Sequence, residues 1–155
     1  MLKKYSLKGK KIMIIAMASD HGGFGLKNII KEHIADRGIK VVDLGTNSEE
    51  SVDYPVYGKA CAEAVASGKA DLGVVCCGTG IGISIAANKV KGIRCGLCTS
   101  VEMAELTKKH NNANMIALGG RTTDPELAIA IVDKWLDTEF EGGRHKRRTD
   151  MLDEM

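Results

Sequence analysis

Short apolar runs alternate with segments of helical periodicity along the chain. The first run, "IMIIAMA", ends in Ser-Asp-His-Gly-Gly, and apolar residues at helical spacing follow it between Leu26 and Ile34. A short β-branched run closed by polar residues and glycine is typical of a buried strand, and the spacing behind it predicts an amphipathic helix. The amino-terminal part of the chain therefore contains one strand-helix unit.

The same unit recurs four times. Further strands are predicted at "KVVDLG", "DLGVVCC", "IRCGLC" and "NMIAL". The helices that follow begin near Pro55, at the glycine loop after Cys77, at a capping box spanning Thr99 to Glu102, and at Asp124. Because each right-handed crossover returns its helix to the sheet, this order predicts helices on both faces. We expect a three-layer α/β/α Rossmann-like sandwich with a five-stranded parallel sheet.

The length of the chain and the position of a glycine pair suggest one domain with a short segment at each end. A chain of 155 residues is of the size expected for a single domain. We expect that domain over residues 13–141, after an extension formed by residues 1–12. Gly142 and Gly143 then lead into a charged and basic segment, so residues 142–155 are predicted to form a separate C-terminal segment.

Composition excludes several classes of partner. Lys and Arg number 22 against 20 Asp and Glu, so the net charge of +2 does not favour nucleic acid as a partner. No apolar stretch approaches the roughly 20 residues that a membrane-spanning helix needs. The five cysteines are an odd number and disfavour a disulfide framework. We expect a cytoplasmic protein that binds neither nucleic acid nor a membrane.

Ligands of open parallel sheets bind at the carboxyl ends of the strands. The residues in that position are Asp20 and His21, the 43–53 loop, the 77–82 loop, Thr99 with Ser100, and the 119–121 turn. His110 and Asn111 come just before the fifth strand and so belong to the opposite end by simple alternation. A site that combines both groups is therefore not explained by local sequence alone.

The segment "CCGTGIG" carries the most specific chemistry. Its glycines would present backbone N–H groups to an anion at a helix N-terminus, or they would only allow a strand and a helix to pack closely. The spacing is not that of a dinucleotide fingerprint. Cys77 at the lip of the loop is either a reactive thiolate or a plain buried cysteine, and Cys76 faces the other side of the strand and is expected to be buried.

Other polar groups leave alternatives open. Asp20 beside His21 is a candidate for proton exchange near neutral pH, whereas His33 is expected to be a packed core histidine. The basic cluster 144–148 is a solvated tail, a nucleic-acid patch or a phosphate clamp, and its arginines suit the clamp. A four-thiolate zinc site from Cys76, Cys77, Cys95 and Cys98 is conceivable by residue type but has the wrong spacing.

Taken together, the motifs resemble those of the ribose-5-phosphate isomerase B family. These motifs are "SDHGGFGLK", "DYP", "CGTGIGISIAANK", "GIRCGLC", "KHNNAN", "ALGGR" and "EGGRHKRR". The resemblance covers the chain from Met13 to its end. It implies a cofactor-independent and metal-independent interconversion of ribose 5-phosphate and ribulose 5-phosphate through a cis-enediolate.

The resemblance also implies roles for individual residues. Cys77 is the base that moves the proton between C2 and C1, and Thr79 moves protons between O1 and O2. His110 opens the sugar ring, with Asp20 assisting. The family branch that places glutamate in the loop is excluded, because that position holds Ile83 here.

The remaining matched positions would bind substrate. The loop residues that cradle the enediolate are Gly78, Gly80, Ile81 and Gly82. Asn111 and Tyr54 would contact the sugar. The phosphate would be held by His21, Arg121, Arg144, His145 and Arg148, while Arg147 has no matched role. Family resemblance further implies a homodimer, or a tetramer built from it, in which the C-terminal segment of one subunit reaches the site of its partner.

Two other functions remain open at this stage. The first is isomerisation of a six-carbon sugar phosphate such as allose 6-phosphate or galactose 6-phosphate, with the same mechanism and another pathway. The second is a nucleotide-binding or flavin-binding module of flavodoxin-like shape.

Overall fold

A computed structural model describes residues 11–155 of the chain. The predicted extension over residues 1–12 lies almost entirely outside these described residues. The strands are β1 (Ile14–Ser19), β2 (Lys40–Asp43), β3 (Leu72–Cys77), β4 (Cys95–Leu97) and β5 (Met115–Gly119). The helices are α1 (Phe24–Asp36), α2 (Tyr54–Ala66), α3 (Ile81–Asn88), α4 (Val101–Asn111), α5 (Pro125–Asp137) and α6 (Arg144–Asp153).

The strands form one parallel sheet in the order β2-β1-β3-β5-β4. All six residues of β1 and all five of β5 are buried, as the continuous apolar runs predict for strands covered on both faces. The predicted five-stranded parallel α/β fold is confirmed. The insertion of β5 between β3 and β4 is not visible in the sequence pattern.

Strand order places the ligand-binding crevice next to β1 and β3. The chain moves to one side of β1 to form β2 and then to the other side to form β3, so the order reverses between these two neighbours. Ser19 pairs with Cys76, and Cys77 pairs with Gly119, at the carboxyl ends. The turns after β1, β3 and β5 therefore meet at one edge of the sheet.

Two apolar cores sandwich the sheet. One core contains Ala18, Cys77 and Cys95 with residues of α2 and α3, and the other contains Cys76 and Trp135 with residues of α1 and α5. The adjacent cysteines thus face opposite sides, as strand alternation predicts. Trp135 is fully buried, and its indole N–H donates to the carbonyl oxygen of Ala113 at 3.0 Å.

Two local expectations need revision. The cap of α4 is Ser100, whose hydroxyl accepts the N–H of Met103, and not Thr99 at the start of a capping box. His33 is not a packed core residue, because its Nε2 lies 2.7 Å from Asp133 Oδ1 and joins α1 to α5. A partner on another helix cannot be read from the periodicity of one helix.

The C-terminal segment contains a ten-residue helix, α6, that packs against α4 of the same chain. None of the helices in the described part of the chain is long and apolar enough to cross a membrane.

Candidate active site

Three glycine turns pack backbone against backbone at the carboxyl edge of the sheet. A Cβ atom at Gly23 would lie 2.4 Å from the carbonyl group of Cys76, and one at Gly120 would lie 2.4 Å from the carbonyl oxygen of Gly22. A Cβ at Gly119 would lie 2.8 Å from the backbone of Thr79. Since backbone atoms cannot move aside, only glycine lets these turns converge.

Cys77 lies at the centre of this convergence. The residue is 4% exposed, and the N–H of Gly80 donates to Cys77 Sγ with an N to S distance of 3.2 Å. The N–H of Ile81 donates to Thr79 Oγ1 at 3.2 Å. Gly80 has a left-handed φ of 79°, which turns the chain into α3 and aims its N–H at the sulfur. A thiolate accepts such an N–H more strongly than a thiol does.

Burial holds the thiols of the other four cysteines in their neutral form. Burial raises the pKa of Cys61 to about 12 and that of Cys98 to about 12. It also raises the pKa of Cys76 and Cys95 far above the ordinary value. These four thiols are held neutral and inert. The hypothetical zinc site also fails, because Cys77 and Cys95 belong to one core while Cys76 and Cys98 belong to the other.

Asp20, His21 and Tyr54 border the glycine loop. Asp20 is 7% exposed, and its Oδ1 accepts the N–H of Gly23 at 3.1 Å. His21 Nδ1 lies 3.2 Å from the backbone nitrogen of Val52, which donates to it. The ring of Tyr54 covers Gly82, since a Cβ atom there would lie 2.7 Å from the ring.

Arg121 lies directly over the loop. Its backbone N–H donates to the carbonyl oxygen of Gly78 at 2.9 Å, and its Nη1 would lie 3.0 Å from a Cβ atom built on Gly78. The guanidinium is thereby aimed at the entrance of the loop. The structure thus brings together most of the predicted site, and we call this group the carboxyl-edge cluster. It consists of Asp20, His21, Tyr54, the 77–82 loop and Arg121.

A second group surrounds His110 at the end of α4. The imidazole rings of His110 and His145 stack with centroids 4.3 Å apart and planes 13° from parallel. His145 Nε2 lies 3.5 Å from Glu141 Oε2. Ligand atoms of these three residues fall within 4.8 Å of one another, but parallel stacked rings do not direct two lone pairs at one ion. The geometry is that of a stacked imidazole pair beside a carboxylate.

Arg94 fixes this second group. Its Nε donates to the carbonyl oxygen of Asn111 at 2.9 Å, and its Nη2 donates to that of Asn112 at 3.0 Å. Its Nη1 pairs with Asp153 near the end of α6. Arg94 therefore joins the end of α4 to α6. We call the resulting group the amino-edge cluster, which consists of His110, Asn111, Arg144, His145 and Arg148.

The two clusters lie at opposite ends of the sheet. Cys77 is paired with Gly119 at the carboxyl end of β5, whereas His110 and Asn111 come just before Met115 at its start. Five residues of extended strand separate the two ends by about 13 Å. A cavity of about 390 Å³ at the amino edge is lined in part by Asn111 and Leu152, and no residue of the glycine loop borders it.

Sequence reasoning missed three supporting residues. Arg94, Glu141 and Lys27 lie within motifs that were recognised, but each acts through a residue far away in the chain. Lys27 had a readable signal, since a lysine between Leu26 and Ile30 on the apolar face of α1 needs a partner.

Comparison with known proteins identifies the family of the chain. Residues 15–152 match the model of the ribose/galactose isomerase family. Ribose-5-phosphate isomerase B of Escherichia coli is 49% identical over 138 residues, which cover 89% of this chain and 93% of that protein.

Solved structures give the same result. The ribose-5-phosphate isomerase B of Clostridium thermocellum is 53% identical with a TM-score of 0.90, and the match covers 92% of this chain and 96% of that one. The enzyme of Mycoplasma genitalium, solved with bound ribulose-5-phosphate, is 43% identical with a TM-score of 0.87, covering 92% of this chain and 95% of that one. The chain belongs to the ribose/galactose isomerase family.

Proposed function

We propose that this protein interconverts ribose 5-phosphate and ribulose 5-phosphate. The observation that carries the proposal is the hydrogen bond from the Gly80 N–H to Cys77 Sγ at the start of α3. Relatives in the same family are named for this reaction. An aldose–ketose isomerase needs a base next to an anion-stabilising site, because proton removal from C2 creates an enediolate. The glycine loop supplies both.

In the proposed reaction Cys77 acts as a thiolate base. It takes the proton from C2 of the open-chain aldose, and the electrons of the C2–H bond form the C1=C2 double bond of the enediolate. When Cys77 returns the proton to C1, this electron pair forms the new C1–H bond and the carbonyl group forms at C2. Thr79 at the loop carries the proton that leaves O2 and arrives at O1. Backbone N–H groups of Gly78 and Gly82 stabilise the negative oxygens, and those of Gly80 and Ile81 join them when the substrate oxygens replace Cys77 Sγ and Thr79 Oγ1 as acceptors. The reaction needs no cofactor and no metal.

The sugar ring must open before this step. We assign ring opening to His110 as general acid and base, with Asp20 assisting in the proton transfer. Asn111 would form a hydrogen bond to the sugar. Tyr54, packed over Gly82, forms one wall of the pocket.

The phosphate requires several cationic donors. We assign this role to His21, Arg121, Arg144, His145 and Arg148. Arginine suits the role because its planar fork donates two parallel hydrogen bonds to phosphate oxygens. The exposed positions of Arg144 and Arg148 on α6 leave both guanidinium groups available for such contacts.

A homodimer would complete the site. The carboxyl-edge and amino-edge clusters lie at opposite ends of one sheet, so a single substrate contacts both only if they come from two subunits. We propose that residues 13–141 act as one domain and that residues 142–155 carry Arg144, His145 and Arg148 to the site of the partner subunit, beside His110 and Asn111 at the end of α4. A dimer is the smallest assembly that satisfies this requirement, and a tetramer of two such dimers also satisfies it.

We also place the enzyme in the cytoplasm. All five cysteines are unpaired, which is usual for proteins of reducing compartments.

The test is a coupled assay with ribose 5-phosphate and allose 6-phosphate in parallel, each with and without EDTA. The proposal predicts a higher kcat/KM for the five-carbon substrate and no effect of EDTA. Preference for the six-carbon substrate would contradict the substrate assignment but keep the mechanism. Turnover of neither would contradict the proposed function, and loss of activity with EDTA would contradict the metal-independent reaction.

A further inference from the structure

A buried lysine supports the phosphate side of the carboxyl-edge cluster. Lys27 on α1 is 0% exposed, although a lysine is almost never fully buried unless it is paired. Its ammonium group donates to Asp43 Oδ1 at 2.7 Å and to the carbonyl oxygen of Thr46 at 2.6 Å, and it lies 5.5 Å from the centre of the Phe24 ring. Among the described residues, none that is assigned to the proposed reaction shares a hydrogen bond or an ion pair with this ammonium group. A buried charge is costly unless it is paired and hydrogen-bonded, so the partners of Lys27 show which segments it joins.

The segment that Lys27 holds is the loop between β2 and α2. Gly45 and Thr46 at its start are buried, and Thr46 N–H donates to the carbonyl oxygen of Ser19 at 2.7 Å. Residues 47–51 are exposed. After this exposed span, the loop contacts the turn behind β1 again at Val52, whose N–H donates to His21 Nδ1. Lys27 thus secures one end of an exposed span, and His21 meets the other end.

The contact at Val52 determines how His21 can bind phosphate. A backbone N–H only donates, so Nδ1 of His21 must accept, and the ring proton of the neutral imidazole then sits on Nε2. An imidazole in this tautomer offers Nε2–H as a donor to an anion. Loss of the Val52 contact would free the ring to exchange its tautomers and to rotate.

Asp43 is the counter-ion that makes the anchor stable. Burial by itself would raise the pKa of Asp43, but hydrogen bonds from Lys27, the Gly45 N–H and Lys31 hold the pKa below its ordinary value. Lys31 contacts the other carboxylate oxygen at 3.1 Å and is 44% exposed. The two lysines share one carboxylate, but among the described contacts Lys27 alone reaches the loop backbone.

We infer that Lys27 is a positioning residue that anchors the 44–53 loop and, through Val52, holds His21 as an Nε2–H donor to the substrate phosphate. The inference rests on the proposed function for the identity of the ligand. It adds a role for a residue outside the reacting groups and predicts a defect in phosphate binding without a defect in proton transfer.

The test compares Lys27→Met with Lys31→Met as a matched control. Loss of a charged anchor that orients one phosphate donor should raise KM for ribose 5-phosphate about tenfold and leave kcat within about threefold. The Ki of inorganic phosphate should rise in parallel. Lys31→Met removes the exposed cation from the same carboxylate and should leave both constants unchanged within about twofold. Lys27→Arg should restore part of the affinity.

Nitrogen NMR of the His21 ring gives an independent readout in the wild-type protein. The inference predicts an unprotonated Nδ1 and a protonated Nε2 in the free protein, and mixed tautomers in Lys27→Met. A protonated Nδ1 in the wild type would overturn the inference even if Lys27→Met failed to fold. An equal rise of KM in both lysine variants, or a fall in kcat alone, would also overturn it.

This design separates two failures. Absence of turnover by the wild type would refute the proposed function, while the tautomer measurement would still decide whether Lys27 positions His21.

Discussion

The two halves of the proposed site are built in different ways. The carboxyl-edge cluster stands on three glycine turns whose backbones touch, so Cys77 and its N–H donor have little freedom. The amino-edge cluster is held together by side-chain contacts. Arg94 joins the ends of α4 and α6, and the imidazole rings of His110 and His145 stack on each other. Glycines that precede it, Gly142 and Gly143, have open space around them and positive φ angles.

This difference corresponds to a division of labour. Proton transfer at carbon requires fixed geometry, because a small displacement of the base costs much of the rate. Phosphate binding tolerates adjustment, since several flexible cations share one anion. The proposal puts the base for the carbon-bound proton, Cys77, at the rigid carboxyl edge and three of the five phosphate donors, Arg144, His145 and Arg148, at the amino edge. Variants of Cys77 and of these three donors should therefore affect kcat and KM differently.

The largest effect is expected at Cys77. Cys77→Ser replaces the thiolate base with a hydroxyl that does not ionise near neutral pH, and kcat should fall by about 10³-fold or more. The Ki of inorganic phosphate should stay unchanged. Cys76→Ala is the matched control, because that neighbour faces the other core and should keep kcat. Steady-state kinetics of both variants give the answer, and full activity of Cys77→Ser would remove Cys77 from the mechanism.

Arg148 should show the opposite pattern. Removal of one charged phosphate donor should raise KM about tenfold with kcat largely kept. Arg147→Ala removes another exposed charge from the same helix and should change neither constant. If Arg148→Ala leaves KM unchanged, the basic segment is only a solvated tail.

Glycine substitutions compare the packed turns at the carboxyl edge with the open glycines before α6, and the measured quantity is the free energy of unfolding. Gly23→Ala puts a Cβ atom 2.4 Å from the Cys76 backbone, so the free energy of unfolding should drop by about 3 kcal/mol or more. At Gly142→Ala the new Cβ atom has no other atom within 4 Å, so only the strain of a left-handed φ of +67° lowers the free energy of unfolding, by about 1 kcal/mol. Urea unfolding monitored by circular dichroism measures both. Equal losses would mean that the turns at the carboxyl edge are not tightly constrained.

The smallest effect concerns the stacked histidines. Partial burial, together with the neighbouring charges of His110, Arg144 and Arg148, holds the pKa of His145 below its ordinary 6.5, and Glu141 partly opposes this. Because the folded form binds the proton more weakly, its stabilising contribution is complete above pH 6.5 and is lost as the pH falls through the folded pKa.

The melting temperature between pH 8 and pH 5 measures this contribution. Wild type should lose more stability than His145→Gln over that range. Parallel curves for the two proteins would show that His145 does not titrate in the folded state below its usual range.

The sequence predicted the carboxyl edge well because its determinants are local. A strand followed by glycines and a helix places Cys77, Asp20 and Arg121 at the same edge whatever the strand order. Trp135 and Ile131 likewise follow from helical spacing within one element. The parallel five-stranded sheet was predictable from the alternation of runs.

What the sequence did not reveal depends on contacts between distant segments. The position of β5 between β3 and β4 decides which helices meet, and no periodicity encodes it. For the same reason His33 was placed in the core, although Asp133 on another helix binds it, and Lys27 was not recognised as an anchor. The separation of His110 from Cys77 was expected from strand alternation, but the stacking of His145 on His110 was not predicted, since resemblance gave His145 only a role in phosphate binding.

The central claim is that each site combines the two clusters from two subunits. A hybrid of Cys77→Ser and His110→Ala subunits, purified through two different tags, tests it most directly. If the clusters combine between subunits, one of the two sites in the hybrid is intact, and turnover of ribose 5-phosphate should recover to about half of the wild-type value. Activity no higher than that of either parent variant would contradict the claim, because each site would then carry one defect.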